Sequence, residues 1–242
     1  MAGKLTVVTG GSRGIGAAVS RRLATEGHDV VITYLRNRDA AEEVASDVRR
    51  TGQRALVLQT DTTEEHSVVE LFDRAQAFGT LTGLVNNAGS ASAVGSLEGN
   101  GLKEIGRDLE VNLLGVIACS KYAIGPMGRA GGGSIVNISS AAATLGGAGT
   151  YVHYAAAKAA VEALTVGLSR ELAGKNIRVN AVAPGTVWTD FHQDRDRPAK
   201  VAATIPMGRA GKPGEIAGAV AWLLSDDAGY ATGTTIRVAG GL

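Results

Sequence analysis

Seven short runs of β-branched and other apolar residues recur along the chain, separated by longer stretches with helical spacing. The runs are "LTVVT" (5–9), "DVVITY" (29–34), "RALVLQT" (54–60), "LTGLVNNAG" (81–89), "GSIVNIS" (133–139), "IRVNAVAPG" (177–185) and "GTTIRVAGG" (233–241). They are continuously apolar rather than alternating, as parallel strands buried on both faces must be. Intervening segments such as "IGAAVSRRLATEG", "RDAAEEVASDVRRTG" and "EEHSVVELFDRAQAFG" carry apolar residues at helical spacing and end at glycine. Repeated β-α order forces right-handed crossovers, with helices on both faces of the sheet. The expected fold class is therefore α/β: one Rossmann-type domain over residues 1–242, doubly wound around a seven-stranded parallel sheet.

Composition narrows the function classes. A chain of 242 residues can bury a sufficient core without staples, and no Pro/Ser-rich linker or fixed-period repeat divides it. The single Cys119 excludes an internal disulfide and a cysteine-based zinc site; in "GVIACSKYA" it reads as packing, and no metal is expected. A net charge of +1 gives no case for nucleic acid or an anionic membrane as partner. No run reaches the roughly 18 apolar residues of a membrane span, and the short apolar N-terminal run is no signal peptide. A cytoplasmic protein acting on small molecules is the expectation.

A sheet of this kind binds ligands beyond the carboxyl ends of its strands. After the first run comes "TGGSRGIG", with Gly10, Gly14 and Gly16 leading directly into a helical pattern. Glycine allows the tight turn and lets the backbone approach a pyrophosphate, which the helix N-terminus then faces with free N–H groups. NAD sites usually place an acid at the end of the second strand to bind the ribose 2′-hydroxyl. Here no acid stands between Val30 and Arg38, while Arg13, Arg36 and Arg38 offer guanidinium groups suited to a 2′-phosphate. The dinucleotide expected is NADP.

The segment "YVHYAAAKAAVEALTVGLSREL" from Tyr151 onward is helical, which puts Tyr154 and Lys158 at i and i+4 on one face. Lys158 is then close enough to depress the Tyr154 pKa, making the phenol a competent acid for a carbonyl oxygen. Tyr151 is seven residues from Lys158, about 10.5 Å of rise, and reads as a pocket wall.

"TGGSRGIG", "NNAG" (86–89), Asn112 in "EVNLLG", "ISS" (138–140), "YAAAK" (154–158) and "PGTVWT" (184–189) occur in this order. Together they make the chain resemble the short-chain dehydrogenase/reductase family, from Leu5 to the terminal glycines. The branch it is most similar to is NADP-preferring and 3-oxoacyl-reductase-like or glucose-dehydrogenase-like. The resemblance implies that Tyr154 donates the proton and that Lys158 binds the nicotinamide ribose and lowers the tyrosine pKa. It implies that Ser140 hydrogen-bonds the substrate oxygen, with Ser139 as the neighbouring decoy, and that Asn112 holds a water linking Lys158 to solvent. For the cofactor it implies contacts from Gly10, Ser12, Arg13, Gly14, Ile15 and Gly16, from Tyr34 and Arg36, and from Asp61 and Thr62 at adenine. Asn87, Ala88 and Gly89 line the adenine-ribose side, while Pro184, Gly185, Val187 and Thr189 close over the nicotinamide. Tyr151, His153 and Trp188 are expected in the substrate pocket. Many relatives are tetramers, so a homotetramer is expected by the same resemblance.

The chain departs from the family in one place. Thirteen residues separate Ser140 from Tyr154 where twelve are usual, which leaves open whether Ser140 or Ala141 takes the serine's place. The substrate loop spans 187–213, and its alternating Asp194, Arg195, Asp196 and Arg197 read as a solvated tip. The functional expectation is an NADPH-dependent carbonyl reductase or alcohol dehydrogenase. A 3-oxoacyl thioester leads the substrate candidates, beside sugars, steroids, quinones and small ketones. The alternatives are a non-catalytic NADP-binding sensor or scaffold, and a sugar- or steroid-type dehydrogenase working oxidatively.

Overall fold

The seven apolar runs pair into one parallel sheet in a computed structural model that describes residues 3–191 and 193–242. The strands are β1 (Lys4–Val8), β2 (His28–Tyr34), β3 (Ala55–Gln59), β4 (Leu81–Asn86), β5 (Gly133–Ile138), β6 (Ile177–Pro184) and β7 (Thr235–Val238). Their spatial order is β3-β2-β1-β4-β5-β6-β7, and every neighbouring pair is parallel. The last run is shorter than its apolar pattern because Gly233, Gly240 and Gly241 take positive φ and turn the chain away at either end.

The crossovers are α1 (Gly14–Thr25), α2 (Arg38–Arg50), α3 (Glu65–Phe78), α4 (Leu102–Leu109), α5 (Gly115–Arg129), α6 (Ala142–Leu145), α7 (Val152–Leu172), α8 (Arg197–Val201) and α9 (Pro213–Leu224). One core packs α1, α2 and α9 on the sheet, with Leu23, Val48 and Val220 against Val8, Ile32 and Val182. The opposite core sets Phe72 of α3, Met127 of α5 and Leu172 of α7 against Val7, Leu84 and Ile135. Cys119 lies within this second core, where burial pushes its thiol pKa up to about 12 and leaves it unreactive. Among the described residues no helix is long and apolar enough to cross a membrane.

The strand order fixes where a ligand can sit. From β1 the chain winds outward through β2 to β3, and from β4 it winds the other way, so the β1/β4 boundary is the topological switch point. The glycine loop follows β1 there, and the "NNAG" turn follows β4. A buried polar chain stiffens the adjoining strands. Asn86 Nδ2 donates to Asn137 Oδ1 (2.8 Å) and Ser120 Oγ (3.0 Å), and Asn137 Nδ2 donates to Thr165 Oγ1 (2.9 Å). Those bonds tie β4 and β5 to α5 and α7, so the elements carrying the candidate site share one rigid frame.

Candidate active site

The glycine loop is closed by contacts that leave no room for a side chain. Gly10 and Gly14 adopt φ of +62° and +54°, in the left-handed region. A Cβ on Gly16 would sit 2.4 Å from the Gly10 carbonyl oxygen and 2.5 Å from Asn87 Nδ2. Asn87 Nδ2 donates to the Thr9 and Gly10 carbonyls, and the Thr9 hydroxyl accepts from the backbone N–H groups of Asn87 and Ala88. The two switch-point turns are thus bonded to each other. Across the loop from them, Gly14 meets the methyl group of Thr189, which a Cβ would approach to 3.2 Å. A cleft of about 520 Å³ opens here, lined by Ser12, Arg13, Gly14, Trp188, Thr189 and Arg195 among others. Arg13 flanks the N-terminus of α1 and is exposed, with Ile15 half-buried behind it.

The remaining expected cofactor positions surround this cleft unevenly. Tyr34 ends β2 with its ring buried, and Arg36 follows it in solvent. The Asp61 carboxylate accepts from the backbone N–H and hydroxyl of Thr63 (3.0 and 2.7 Å), so it caps the turn before α3. Thr62 packs tightly on Gly115, where a Cβ would lie 2.7 Å from its hydroxyl. Beyond Pro184, the Gly185 backbone lies against Ala239, and buried Val187 pairs with Gly211 in an isolated bridge.

Asn112 sits on a π-helical turn, Glu110–Leu114, between α4 and α5 and is fully buried. Its Nδ2 donates to the carbonyls of Ser90 (2.6 Å) and Asp108 (2.8 Å), which satisfies a backbone group freed by the widened turn. Gly89 stands between Asn112 and Lys158: a Cβ there would lie 3.1 Å from Asn112 Oδ1 and 3.9 Å from Lys158 Nζ. Lys158 Nζ donates to the Ile138 carbonyl at 2.9 Å, and burial pushes its pKa down to about 8.

Ser139 and Ser140 face different ways. Ser139 Oγ donates to Glu162 Oε1 (2.8 Å) and the Lys158 carbonyl (3.3 Å), so it is spent on α7. Ser140 Oγ accepts from the Ala142 backbone N–H (3.1 Å) and interacts with the Tyr154 phenol, which leaves its O–H as a donor at the site. Ala141 is buried, with its N–H on the Pro184 carbonyl. Between Ser140 and Tyr154 the chain turns after α6, where Gly146, Gly147 and Gly149 all take positive φ.

Tyr154 and Lys158 lie one turn apart, with Nζ 5.6 Å from the tyrosine ring centroid. The expected depression of the phenol pKa is reversed in this structure. Burial raises it well above the ordinary value, and the neighbouring Ser140 hydroxyl recovers only part of the shift. The Asp108 carboxylate pushes it further up. The phenol is therefore held protonated, the state a proton donor needs.

On the substrate side, Tyr151 packs edge-on to Tyr154 with ring centroids 5.2 Å apart, and Phe191 tilts against Tyr154 at 5.8 Å. Trp188, by contrast, is exposed and lies in the cleft beside Ser12 and Arg13, on the glycine-loop side. His153 is buried, with Nε2 3.2 Å from Asp108 Oδ2. Asp108, Phe191 and Arg197 are missing from the sequence-based site. A signal for Asp108 was present: it precedes Asn112 by one helical turn and so shares its inward face. Arg197 is not part of a solvated tip, because its guanidinium is folded over the Tyr151 ring.

This arrangement puts a buried phenol, a hydroxyl donor and a lysine beside a glycine-lined cleft at the switch point. Residues 10–242 match the family model described as enoyl-(acyl carrier protein) reductase. The chain belongs to the short-chain dehydrogenase/reductase family. It is 43% identical over 244 residues to the uncharacterized oxidoreductase YgfF of Escherichia coli strain K12, covering 98% of this chain and 99% of the relative. It is also 43% identical over 243 residues to cis-4-hydroxycyclohexanecarboxylate dehydrogenase of Sinomonas cyclohexanicum, covering 98% and 96%. Among solved structures, a blue fluorescent protein from a metagenomic library in complex with NADPH superposes with a TM-score of 0.91 at 34% identity, covering 99% and 98%.

The crowding at Gly16 makes a direct prediction. Gly16→Ala must displace either the Gly10 carbonyl or Asn87. It is expected to cost about 1–3 kcal/mol of stability and to weaken binding of a nicotinamide dinucleotide by roughly tenfold or more. Thermal melting and titration calorimetry check the two effects separately.

Proposed function

We propose that this oxidoreductase is an NADPH-dependent carbonyl reductase in which Tyr154 protonates the substrate oxygen. The observation that carries the reading is the convergence of Tyr154, Ser140 and Lys158 at the carboxyl end of β5, with the glycine-lined cleft next to them. The cleft fits a dinucleotide. Gly10, Gly14 and Gly16 leave the backbone bare, Arg13 flanks the α1 N-terminus, and the Pro184–Thr189 segment meets the loop from above. Bound there, the cofactor supplies the hydride that the carbonyl carbon accepts.

The rest of the work falls to side chains. Ser140 O–H donates to the substrate oxygen and stabilises the charge that develops on it. Tyr154, held protonated by burial, gives that oxygen its proton. Lys158 would hold the nicotinamide ribose hydroxyls. Asn112 keeps the Ser90–Asp108 backbone in place and would hold the water leading from Lys158 to solvent. The Sinomonas relative, whose name gives it a hydroxyl on a six-membered ring, supports a ketone as substrate more directly than a 3-oxoacyl thioester. Exposed Leu114, Ile117 and Val166 support the homotetramer reading.

Cofactor choice is tested at Arg13. Its guanidinium lines the cleft, and no acid ends β2. Arg13→Ala is expected to weaken NADPH binding by roughly tenfold, the worth of a charge-assisted phosphate contact, while NADH binding changes far less. Equal losses for the two cofactors in fluorescence titrations would remove the argument for a 2′-phosphate site.

A further inference from the structure

Arg197 begins α8 in the substrate loop and is half-buried, although its neighbours Asp194, Arg195 and Asp196 are exposed. Its guanidinium carbon lies 5.6 Å from the Tyr151 ring centroid, and Nη2 is 3.4 Å from the Tyr151 hydroxyl. Tyr151 in turn packs on Tyr154 at 5.2 Å. A permanent positive charge therefore stands one aromatic ring away from the phenol that protonates the substrate.

That charge has no carboxylate in direct contact among the described residues, although Asp194 lies near enough for the two charges to interact. Among the described residues no carboxylate forms an ion pair with Arg197, and Asp194 is taken by Lys200 at 2.7 Å. Its Nε is buried without a hydrogen-bond partner among the described residues. A buried guanidinium edge with an open N–H is costly, because donors removed from water are normally paired. The loop is also anchored over the site: Gln193 Nε2 donates to the Ser92 carbonyl at 3.1 Å, on the far side of the pocket. Between these anchors the lining is apolar, with Tyr151, Tyr154, Phe191 and Ala91 packed around Ala142 and Ala155.

We infer that Arg197 is the recognition group for a substrate carboxylate, and that the preferred ketones are keto acids with an apolar ring or short chain between the carbonyl and the acid. This rests on the reductase reading above. The planar guanidinium pairs with a carboxylate through two parallel N–H···O bonds, and Nε–H is one of the two donors that such a fork uses. With the carbonyl oxygen at Tyr154 and Ser140, the carboxylate at Arg197 sets which face and which end of the substrate enter the site. Tyr151 becomes the spacer between the two anchors.

The test compares 4-oxocyclohexanecarboxylate with its methyl ester as substrates for NADPH-dependent reduction, in wild type and Arg197→Gln. Calorimetric titration of unreactive cyclohexanecarboxylate and cyclohexanecarboxamide runs alongside, with NADPH present. A charge-assisted pair predicts that wild type prefers the acid over the ester by roughly 10–100-fold in kcat/KM. Arg197→Gln should remove most of that preference through KM, with a far smaller effect on the ester. Equal turnover of acid and ester by wild type overturns the inference, as does an equal loss for both in the variant. If neither ketone is reduced, the reductase reading is what fails for such substrates, and binding decides the carboxylate site. Tighter binding of the carboxylate than of the amide, lost in Arg197→Gln, sustains it; no difference overturns it.

Discussion

Tyr154→Phe is expected to lower kcat for carbonyl reduction by about 10²–10⁴-fold, the usual worth of a positioned general acid, while NADPH binding is retained. The substitution removes one oxygen and leaves the ring, so the packing against Tyr151 and Phe191 survives and the fold is not in question. The proton loses its source. Ser139 is bonded to α7, His153 is turned to Asp108, and Lys158 Nζ donates to the Ile138 carbonyl, so no neighbour is placed to substitute. Ser140 would still polarise the carbonyl, which is why some residual rate is expected. The measurement follows NADPH oxidation by absorbance over a panel holding a cyclic ketone, a diketone, a quinone, a keto-sugar and an acetoacetyl thioester. A Phe variant that retains wild-type turnover on the reactive class would overturn the assignment of the phenol as acid.

How much of this was legible beforehand follows from what kind of force places each part. The seven strands could be read because a parallel strand buried on both faces has a distinctive apolar run, and five of them fall within two residues of the pattern at either end. The exceptions are β4, which stops three residues early where the "NNAG" turn begins, and β7, where backbone conformation at Gly233 and Gly240 overrides the apolar pattern. The Tyr154–Lys158 pair was legible because helical spacing alone makes them neighbours. The sign of the Tyr154 pKa shift was not, since it depends on how deeply the ring is buried and not on its sequence partner. Trp188 and Arg197 illustrate the same limit. Both lie in a loop whose path is set by tertiary contacts, and it carries the tryptophan to the glycine-loop side and the arginine to the tyrosines. Asp108 is marked in the sequence only by its place one helical turn before Asn112. Its partners are backbone N–H groups and hydroxyls of a distant turn, which leave no charge pattern in the sequence.

Those partners make Asp108 the most consequential structural residue near the site. Its carboxylate is fully buried on α4 and accepts from the Ser90 hydroxyl (3.0 Å), the Ser92 hydroxyl (2.8 Å) and the backbone N–H groups of Ser92 (2.9 Å) and Ala93 (3.1 Å), with His153 Nε2 at 3.2 Å. Burial on its own would raise the Asp108 pKa, but the bonds from Ser92, Ala93 and Ser90 outweigh it and hold the acid below its ordinary value. Asp108→Ala leaves these donors unpaired in the interior and is expected to cost about 3–5 kcal/mol. In a chain of this length that corresponds to a fall in Tm of roughly 10 °C or more. Asp108→Asn keeps the shape but brings its own N–H group to a site already full of donors, so it should recover only part of the loss. The pH dependence has a definite sign. Because the folded pKa is depressed, the carboxylate's stabilisation is fully present above the ordinary aspartate range and is lost as pH falls through the lower, folded value. Wild type should therefore lose more stability on acidification than Asp108→Ala does, and melting curves from neutral to acid pH measure the difference. The same bonds connect stability to chemistry. Asn112 donates to the Asp108 carbonyl and to Ser90, so releasing the 90–93 turn loosens the floor beneath Lys158 and the pocket wall beside Tyr154. Below its melting temperature, the variant should still show reduced kcat/KM on ketones, while Gly16 and Asn87 continue to hold the glycine loop, so that dinucleotide binding is expected to change little.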